Sequence, residues 1–245
     1  MNQISIFNLN CWLFPVPLSA DCDARVSSIL EMIRENNPDI ITLQEVWSNK
    51  YLKILEHDLP DYFSISSKTP IYNQSGLVIF SKQKSIYSKV NFFKLSLRQN
   101  FTEWFLRKGY IKTLVEFNDK KFTIINTHLY APFSKSAINI PAEQLNLVVG
   151  LTSEDNIILC GDFNLDEEQT RKIVGRDFFR MCDSEPTSDT QNPYSYKRFN
   201  KYMAHESKKI DYLLFKRSLA GKFKYNMIKN PFVSDHYPML SHLYF

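Results

Sequence analysis

The stretch NIILCGDFN, residues 156–164, decides how the rest of the chain is read. Four apolar residues, Ile157 to Cys160, run into Gly161 and then into Asp162 and Asn164. A short apolar run bounded by glycine reads as a buried strand, and polar groups just beyond it are where sites in sheet proteins lie. The plan recurs along the chain. ISIFNLNCW (4–12) alternates Ile4 and Ile6 with Asn8 and Asn10 on one face. DIITLQEVW (39–47) ends at Gln44 and Glu45, and KFTIINTHLY (121–130) carries Asn126 and His128. GLVIFSK (76–82), KTLVEF (112–117), KIDYLLF (209–215) and PMLSHLYF (238–245) read as further strands.

Helices are expected between them. Residues 21–36 place Val26, Ile29, Leu30 and Ile33 on one stripe, with Pro38 as the stop. Ser48 is suited to cap a short helix through Leu55, Pro141 to open one through about Val149, and a fourth falls near residues 167–175. Residues 183–208 form the longest irregular stretch, a length that inside a compact domain signals function or disorder. The expectation is one β-rich α/β domain spanning residues 1–245, with no internal repeat at sequence level.

Composition narrows the function classes. The chain has 245 residues, 44% of them hydrophobic, enough for a core without disulfides or structural metal. Cys11, Cys22, Cys160 and Cys182 form no C-x-x-C pair, which leaves reduced, mostly buried thiols as the plain reading. MNQISIFNLNCWLF lacks the basic and apolar regions of a signal peptide, and no run spans a bilayer. A soluble protein is expected, cytoplasmic or exported without an N-terminal signal, and able to lie peripherally on membranes. The net charge of +4 is uneven: ten basic residues against Glu206 and Asp211 fill residues 197–229. Such a segment suits a polyanion or an anionic membrane, and equally an ordinary solvated face.

PFVSDHYPML (231–240) sets Asp235 beside His236. On a strand the two would face apart, but Pro238 cannot donate to a ladder, so SDHYP reads as a turn able to aim both at one site. The strand-end groups are then Asn8, Asn10, Glu45, Asn126, His128, Asp162, Asn164, Asp211, Asp235 and His236. Carboxylates and amides are hard oxygen ligands for Mg²⁺ or Mn²⁺, and histidines beside carboxylates supply acid and base near neutral pH. Singly, each has a plainer reading: Glu45 as a helix cap, Asp162 and Asn164 as a turn, His128 as a buried, satisfied ring.

Taken in order, FNLNCW, LQEVW, NTHL, CGDFN, IDY and SDHYP resemble the metal-dependent endonuclease/exonuclease/phosphatase superfamily from residue 7 to residue 238. The resemblance implies a four-layer α/β/β/α sandwich of two packed β-sheets flanked by helices. It implies Mg²⁺, or Mn²⁺, on Glu45 with Asn8 or Asn10 and Asp235, and in-line attack of water on a phosphodiester. In that scheme His236 is the general base oriented by Asp211. Asp162 positions water or a second metal, Asn164 holds a phosphoryl oxygen, and His128 donates to the phosphate or leaving group. Asn10 stands where several nuclease relatives have aspartate, which leaves the number of metals open. The opening motifs and TEWFLRKGYIK (102–112), with its W-F-x-x-K-G segment, are most similar to neutral sphingomyelinases of the sphingomyelinase C type. The W-x-G-D-x-N-Y-R segment of inositol polyphosphate phosphatases is absent; this chain has LCGDFNL.

That likeness implies a phospholipid or sphingolipid substrate at a membrane surface, with Trp104, Lys108 and Tyr194 as substrate contacts. The aromatic-rich residues 91–105 serve either as an exposed lip for a bilayer or as ordinary core strand. Tyr194, with Tyr196 and Phe199, is a candidate wall for a choline group. A nuclease using the basic C-terminal third is the alternative substrate reading, followed by an inositol phosphate phosphatase-like enzyme. A non-catalytic interaction module is disfavoured by the complete polar set. No obligate protein partner is inferred.

Overall fold

A computed structural model of the chain describes residues 2–14, 19–132, 134–176, 178–180, 185–197, 206–217, 219 and 222–245. Cys182, Phe199 and the side chain of Tyr196 lie outside the described residues. The strands are β1 (Gln3–Leu13), β2 (Ile40–Val46), β3 (Phe63–Lys68), β4 (Asn73–Ser81), β5 (Tyr87–Phe92) and β6 (Gly109–Phe117). They continue as β7 (Lys120–His128), β8 (Ile157–Asp162), β9 (Phe178–Arg180), β10 (Asp211–Lys216), β11 (Lys222–Met227) and β12 (Met239–Tyr244). The helices are α1 (Cys22–Asn36), α2 (Asn49–Asp58), α3 (Ile140–Val149), α4 (Glu167–Val174) and α5 (Pro193–Lys197).

Two six-stranded sheets form, in the orders β11-β12-β1-β2-β4-β3 and β5-β6-β7-β8-β10-β9. The pairs β1/β2 and β7/β8 are parallel, and α1 and α3 are their crossover helices; every other described pair is antiparallel. The sheets pack face to face. Ile4, Ile6, Ile40 and Ile79 of the first meet Ile111, Ile124, Ile158 and Leu213 of the second in one core. A second core lies on the other face of the first sheet, where Phe7, Leu9, Ile41, Leu43 and Phe80 meet Val26, Ile29, Ile33, Leu52 and Leu55 of α1 and α2. α3 and α4 cover the outer face of the second sheet through Leu145, Val148 and Val174. The layers are helix, sheet, sheet, helix, as the resemblance implied. Inner strands buried on both faces read as continuous apolar runs, and each fully buried Ile, Leu or Val contributes roughly 1.5–3 kcal/mol.

The expected helices form, with boundaries set by local chemistry. Ser48 Oγ accepts from Lys50 N at 3.2 Å to open α2, and α4 starts in a capping box between Asp166 and Gln169. α1 ends at Asn37, in the left-handed region at φ 41°.

The segment 91–105 differs from the core-strand alternative. β5 stops at Phe92, only Phe93 enters the core, and Phe93 N donates to Lys108 O to close a loop. Within it a 3₁₀ turn spans Phe101–Trp104, and Leu97, Phe101, Trp104 and Phe105 are exposed. Strand pairing ends before these residues, so no partner backbone draws them inward. Tyr72 Oη donates to Phe105 O at 2.8 Å, which joins this loop to the β3–β4 hairpin and its exposed Ile71.

Among the described residues, the basic C-terminal segment does not make one face. Lys216 belongs to the second sheet and Lys222 and Lys224 to the first. Lys209 pairs with Glu167 at 2.9 Å, and Lys229 pairs with Glu185. No helix among the described residues is long and apolar enough to cross a membrane.

Candidate active site

The inner faces of β1, β2, β7 and β8 turn polar at the same end of the paired sheets. Asn8 and Asn10 continue the row of Ile4 and Ile6; Thr42 and Gln44 continue that of Ile40. The first polar layer ties the sheets together. Asn8 Oδ1 accepts from Thr42 Oγ1 and Gln44 Nε2, both at 2.9 Å. The same Gln44 amide nitrogen donates to Asn126 Oδ1 at 2.7 Å, and Asn126 Nδ2 donates to Leu43 O and Val78 O. Gln44 and Asn126 are therefore the link between the sheets. Asn8, whose side chain bonds among the described residues only to β2 of its own sheet, has its oxygen already engaged one layer below the groups that face Glu45.

The next layer holds the charges. Asn10 Nδ2 donates to Glu45 Oε1 at 3.1 Å and to Asp162 Oδ2 at 2.9 Å, while Trp12 N donates to Asn10 Oδ1 at 3.1 Å. Trp12 thus fixes the amide with its donor end toward the carboxylates. Glu45 takes φ 57°, a left-handed turn uncommon for its type, at the end of β2. Gly161, at φ 138°, lets β8 approach β7: a Cβ there would meet Thr127 O at 1.8 Å. The register then places His128 directly beside Asp162. His128 Nε2 lies 3.4 Å from Asp162 Oδ2 and 3.9 Å from Glu45 Oε1. Lys108 Nζ lies 2.9 Å from His128 Nε2 and donates to Leu129 O at 2.9 Å. An ammonium only donates, so His128 Nε2 accepts at this contact.

Across the seam, β10 begins with Asp211 opposite Asp162. His236, 1% exposed, holds Nδ1 at 2.7 Å from Asp211 Oδ2, and its Nε2 lies 4.0 Å from Asp162 Oδ2. Nε2 is buried and makes no hydrogen bond to any described residue. Burial opposes the charged ring, but Asp211, Asp235 and Asp162 outweigh it and raise the His236 pKa to about 10. Burial, then Asp211, raises Asp162 to about 6, against His236, Lys108 and Asn10. Asp235 is buried, accepts from Ser234 Oγ at 3.2 Å, and reaches His236 through its field. SDHYP is a turn, as expected, with β12 starting at Met239.

Glu45, His128 and Asp162, and also Asp162, Asp211 and His236, present ligand atoms within 4.8 Å of one another. Carboxylates buried side by side repel, and an oxygen-rich set suits a hard divalent cation, so the residues fit one. Asp235 is in neither group. Asn164, at φ 49°, donates Nδ2 to Leu129 O and N to Asp162 Oδ1, so it braces Asp162 and the β7 end. Trp104 is half exposed on the neighbouring loop. Tyr194 packs edge-on to Trp12, and the Arg25 guanidinium lies 5.3 Å from its ring. That ring already faces a cation from the protein, which argues against the choline wall.

Three residues escaped the sequence reading. Thr187 Oγ1 accepts from Ile210 N and Asp211 N, and Thr187 O accepts from Tyr237 N, so one residue braces both halves of the Asp211–His236 pair. Asn192 Nδ2 donates to Ser234 O. Glu103, 8% exposed, lies within range of the Lys108 and Glu45 charges. The first two sit in the irregular stretch with no periodicity to mark them; Glu103 was detectable as the one acid in NFTEWFL.

Residues 7–236 match the Endonuclease/Exonuclease/phosphatase family. The chain belongs to it. Two curated relatives are similar at 26% identity: the inositol phosphosphingolipids phospholipase C of Schizosaccharomyces pombe, over 66% of this chain and 41% of that protein, and sphingomyelin phosphodiesterase 2 of Homo sapiens, over 68% and 42%. The matched part is thus about two fifths of either relative's length. Among solved structures, D. rerio TDP2 complexed with a single-strand DNA product superposes with TM-score 0.77 at 17% identity, covering 100% of both chains. At that identity the likeness is one of fold.

Proposed function

We propose that this family member is a divalent-metal phosphodiesterase that releases the phosphorylated headgroup of a sphingolipid at a membrane surface. The observation that carries the hydrolytic part is the joined cluster: Glu45 and Asp162 from the two sheets, with the Asp211–His236 pair beside them. His236 Nε2, held by Asp211 through Nδ1, takes the proton of the attacking water. Asn10 fixes the spacing of Glu45 and Asp162, and Asn164 braces Asp162. Lys108, backed by His128 and Leu129 O, supplies positive charge to a phosphoryl oxygen. Glu45 and Asp162 would hold a divalent cation, Mg²⁺ foremost, which when bound would supply charge to offset the phosphate and a field that favours the neutral, basic form of His236.

Two observations support a lipid. The relatives named above act, by their names, on sphingolipids. Lys108 closes the loop that exposes Leu97, Phe101, Trp104 and Phe105, so an apolar lip adjoins the charged site. Aromatic and long aliphatic side chains on such a lip favour the bilayer interface. The nuclease reading rests on the fold likeness, and the dispersal of the basic residues over two sheets weakens it.

The test sets sphingomyelin in mixed micelles beside supercoiled plasmid, each with Mg²⁺, with EDTA and with Glu45→Gln. Metal-dependent phosphocholine release is expected. Nicking alone would transfer the site to nucleic acid.

A further inference from the structure

Arg25 is a buried charge that the proposed reaction does not use. It lies near the start of α1 and is 1% exposed. The five N–H groups of its guanidinium meet five acceptors, none of them a carboxylate. Nε donates to Ala20 O at 2.8 Å, and Nη1 to Cys11 O at 2.6 Å and Val233 O at 3.2 Å. Nη2 donates to Trp12 O at 2.8 Å and to Cys22 Sγ at 3.4 Å. A buried cation is costly, and an apolar side chain would fill the same place without that cost. What a guanidinium adds is a rigid fork that reaches several segments at once. The segments joined here are those that carry Asn10 and His236. The register of β1 against β2 shifts between Asn10 and Leu13, and Trp12 takes φ 47°. A bulge of this kind re-aims the side chains beside it. Its carbonyls, Cys11 O and Trp12 O, both go to Arg25, whose guanidinium carbon lies 5.0 Å from the Trp12 ring. Held so, Trp12 N donates to Asn10 Oδ1 and leaves Asn10 Nδ2 to Glu45 and Asp162. Val233 O stands three residues before His236, in the turn that delivers the imidazole. Asn192 Nδ2 donates to Ser234 O at 2.8 Å in the same turn, and Tyr194, two residues on, faces the guanidinium at 5.3 Å.

We infer that Arg25 is a positioning residue for hydrolysis, holding the Asn10 amide and the His236 imidazole in one fixed relation through the carbonyls of Cys11, Trp12 and Val233. The inference rests on the phosphodiesterase reading and deepens it. Asn10 spaces the two carboxylates and His236 takes the proton, so an error in their relation falls on the transition state more than on substrate binding. Lysine keeps the charge but gathers its donors at one point, so it cannot serve all three carbonyls and the stacked rings. Arg25→Lys therefore separates the fork from the charge.

The experiment uses a soluble diester, bis(p-nitrophenyl) phosphate, with Mg²⁺. Arg25→Lys is expected to lower kcat per folded molecule about 10- to 100-fold, the loss that a misplacement of about 1 Å produces, at unchanged KM. Arg25→Gln, which keeps fewer donors, should lose at least as much and serves where the lysine variant does not fold. Full kcat per folded molecule in either variant would overturn the proposal. A double-mutant cycle then asks through which groups Arg25 acts. In the Asn10→Ala and His236→Ala backgrounds the same substitution should cost less, because one of the groups it sets is already gone. An undiminished loss in either background would break the link. Amide hydrogen exchange gives a readout that needs no turnover. Residues 8–14 and 231–238 should lose protection together in Arg25→Lys, while β7 and β8 keep theirs. Unchanged protection in either segment, or a loss throughout the chain, would overturn the positioning role. Joint local loss in a protein whose wild type cleaves no diester would uphold the link between the segments and sink the hydrolytic reading instead.

Discussion

The two sheets are built alike and furnished differently. Each runs strand, crossover helix, parallel strand, then helix, edge strand and antiparallel strand, so β1, β2 and β4 correspond to β7, β8 and β10. A hairpin lies beside the first strand: β5–β6 before it in the second sheet, β11–β12 from the far end of the chain in the first. FNLN on β1 answers INTH on β7. Asn8 and Asn126 stand at corresponding places and share one Gln44 amide. Two residues later the first sheet has the amide of Asn10 and the second the imidazole of His128. At the start of β4, Asn73 donates to Val46 O and Leu77 O and accepts from Ser67; at the start of β10, Asp211 holds His236. The loop before β12 brings His236, and the loop before β6 brings Lys108. One frame thus serves twice. At the places that Asn10 and Asn73 hold in the first sheet, the second carries the titratable His128 and Asp211. The site exists at the seam, because Glu45 comes from one sheet and Asp162 from the other.

The largest test of this comparison removes titratable groups at the seam. His236→Ala should lower kcat on a soluble phosphodiester about 10²–10⁴-fold, and Glu45→Gln at least as much, at saturating Mg²⁺. A drop under tenfold for both would mean that the seam is not the reaction centre. The counterpart test goes to the amide that the first sheet has where the second has Asp211. Asn73→Ala should lower stability by about 1–3 kcal/mol through buried groups left unpaired, read by denaturant unfolding, with kcat per folded molecule unchanged. Activity loss there without destabilisation would break the contrast.

The pH dependence of metal-free stability is the third test. Both shifted groups bind protons more tightly in the fold than in the unfolded chain: Asp162 at about 6 and His236 at about 10. Their stabilising effect is complete below the unfolded values. It falls for Asp162 as pH rises from the ordinary carboxylate range through 6, and for His236 from the ordinary imidazole range through 10. Thermal melts in EDTA should therefore decline between pH 6 and 10, and His236→Gln should flatten the upper part. Mg²⁺ should weaken the dependence. The smallest expected effect belongs to the lip: Phe101→Ser with Phe105→Ser should weaken turnover on micelles about tenfold through lost apolar burial, and leave soluble substrates alone.

The eight strands legible in the sequence, β1, β2, β4, β6, β7, β8, β10 and β12, are the inner strands of the two sheets. The four that were not, β3, β5, β9 and β11, are the four edges. Inner strands are buried on both faces, so burial leaves an apolar run in the sequence. An edge strand is paired on one side and partly solvated, and YSKVNF or KFKYNM carries little of that signal. The candidate site divides in the same way. Glu45, His128 and Asp162 stood out because a polar residue ending an apolar strand contradicts its surroundings. Asp211 and His236 did so because each lies at the edge of an apolar run, the latter beside Asp235 and before Pro238.

Sequence alone therefore determined the inner strands, the helices α1 to α4 and which residue types bear the chemistry; α5 lies in the stretch read as irregular. Local propensity and burial act through neighbours along the chain, and their record is local. Only the tertiary structure decided that Gln44 and Asn126 link the sheets, that Trp12 turns the Asn10 amide toward the carboxylates, and that Tyr194 packs by Arg25. It alone showed Thr187 bracing a pair formed from Asp211 and His236. Each of these depends on which groups from distant segments meet.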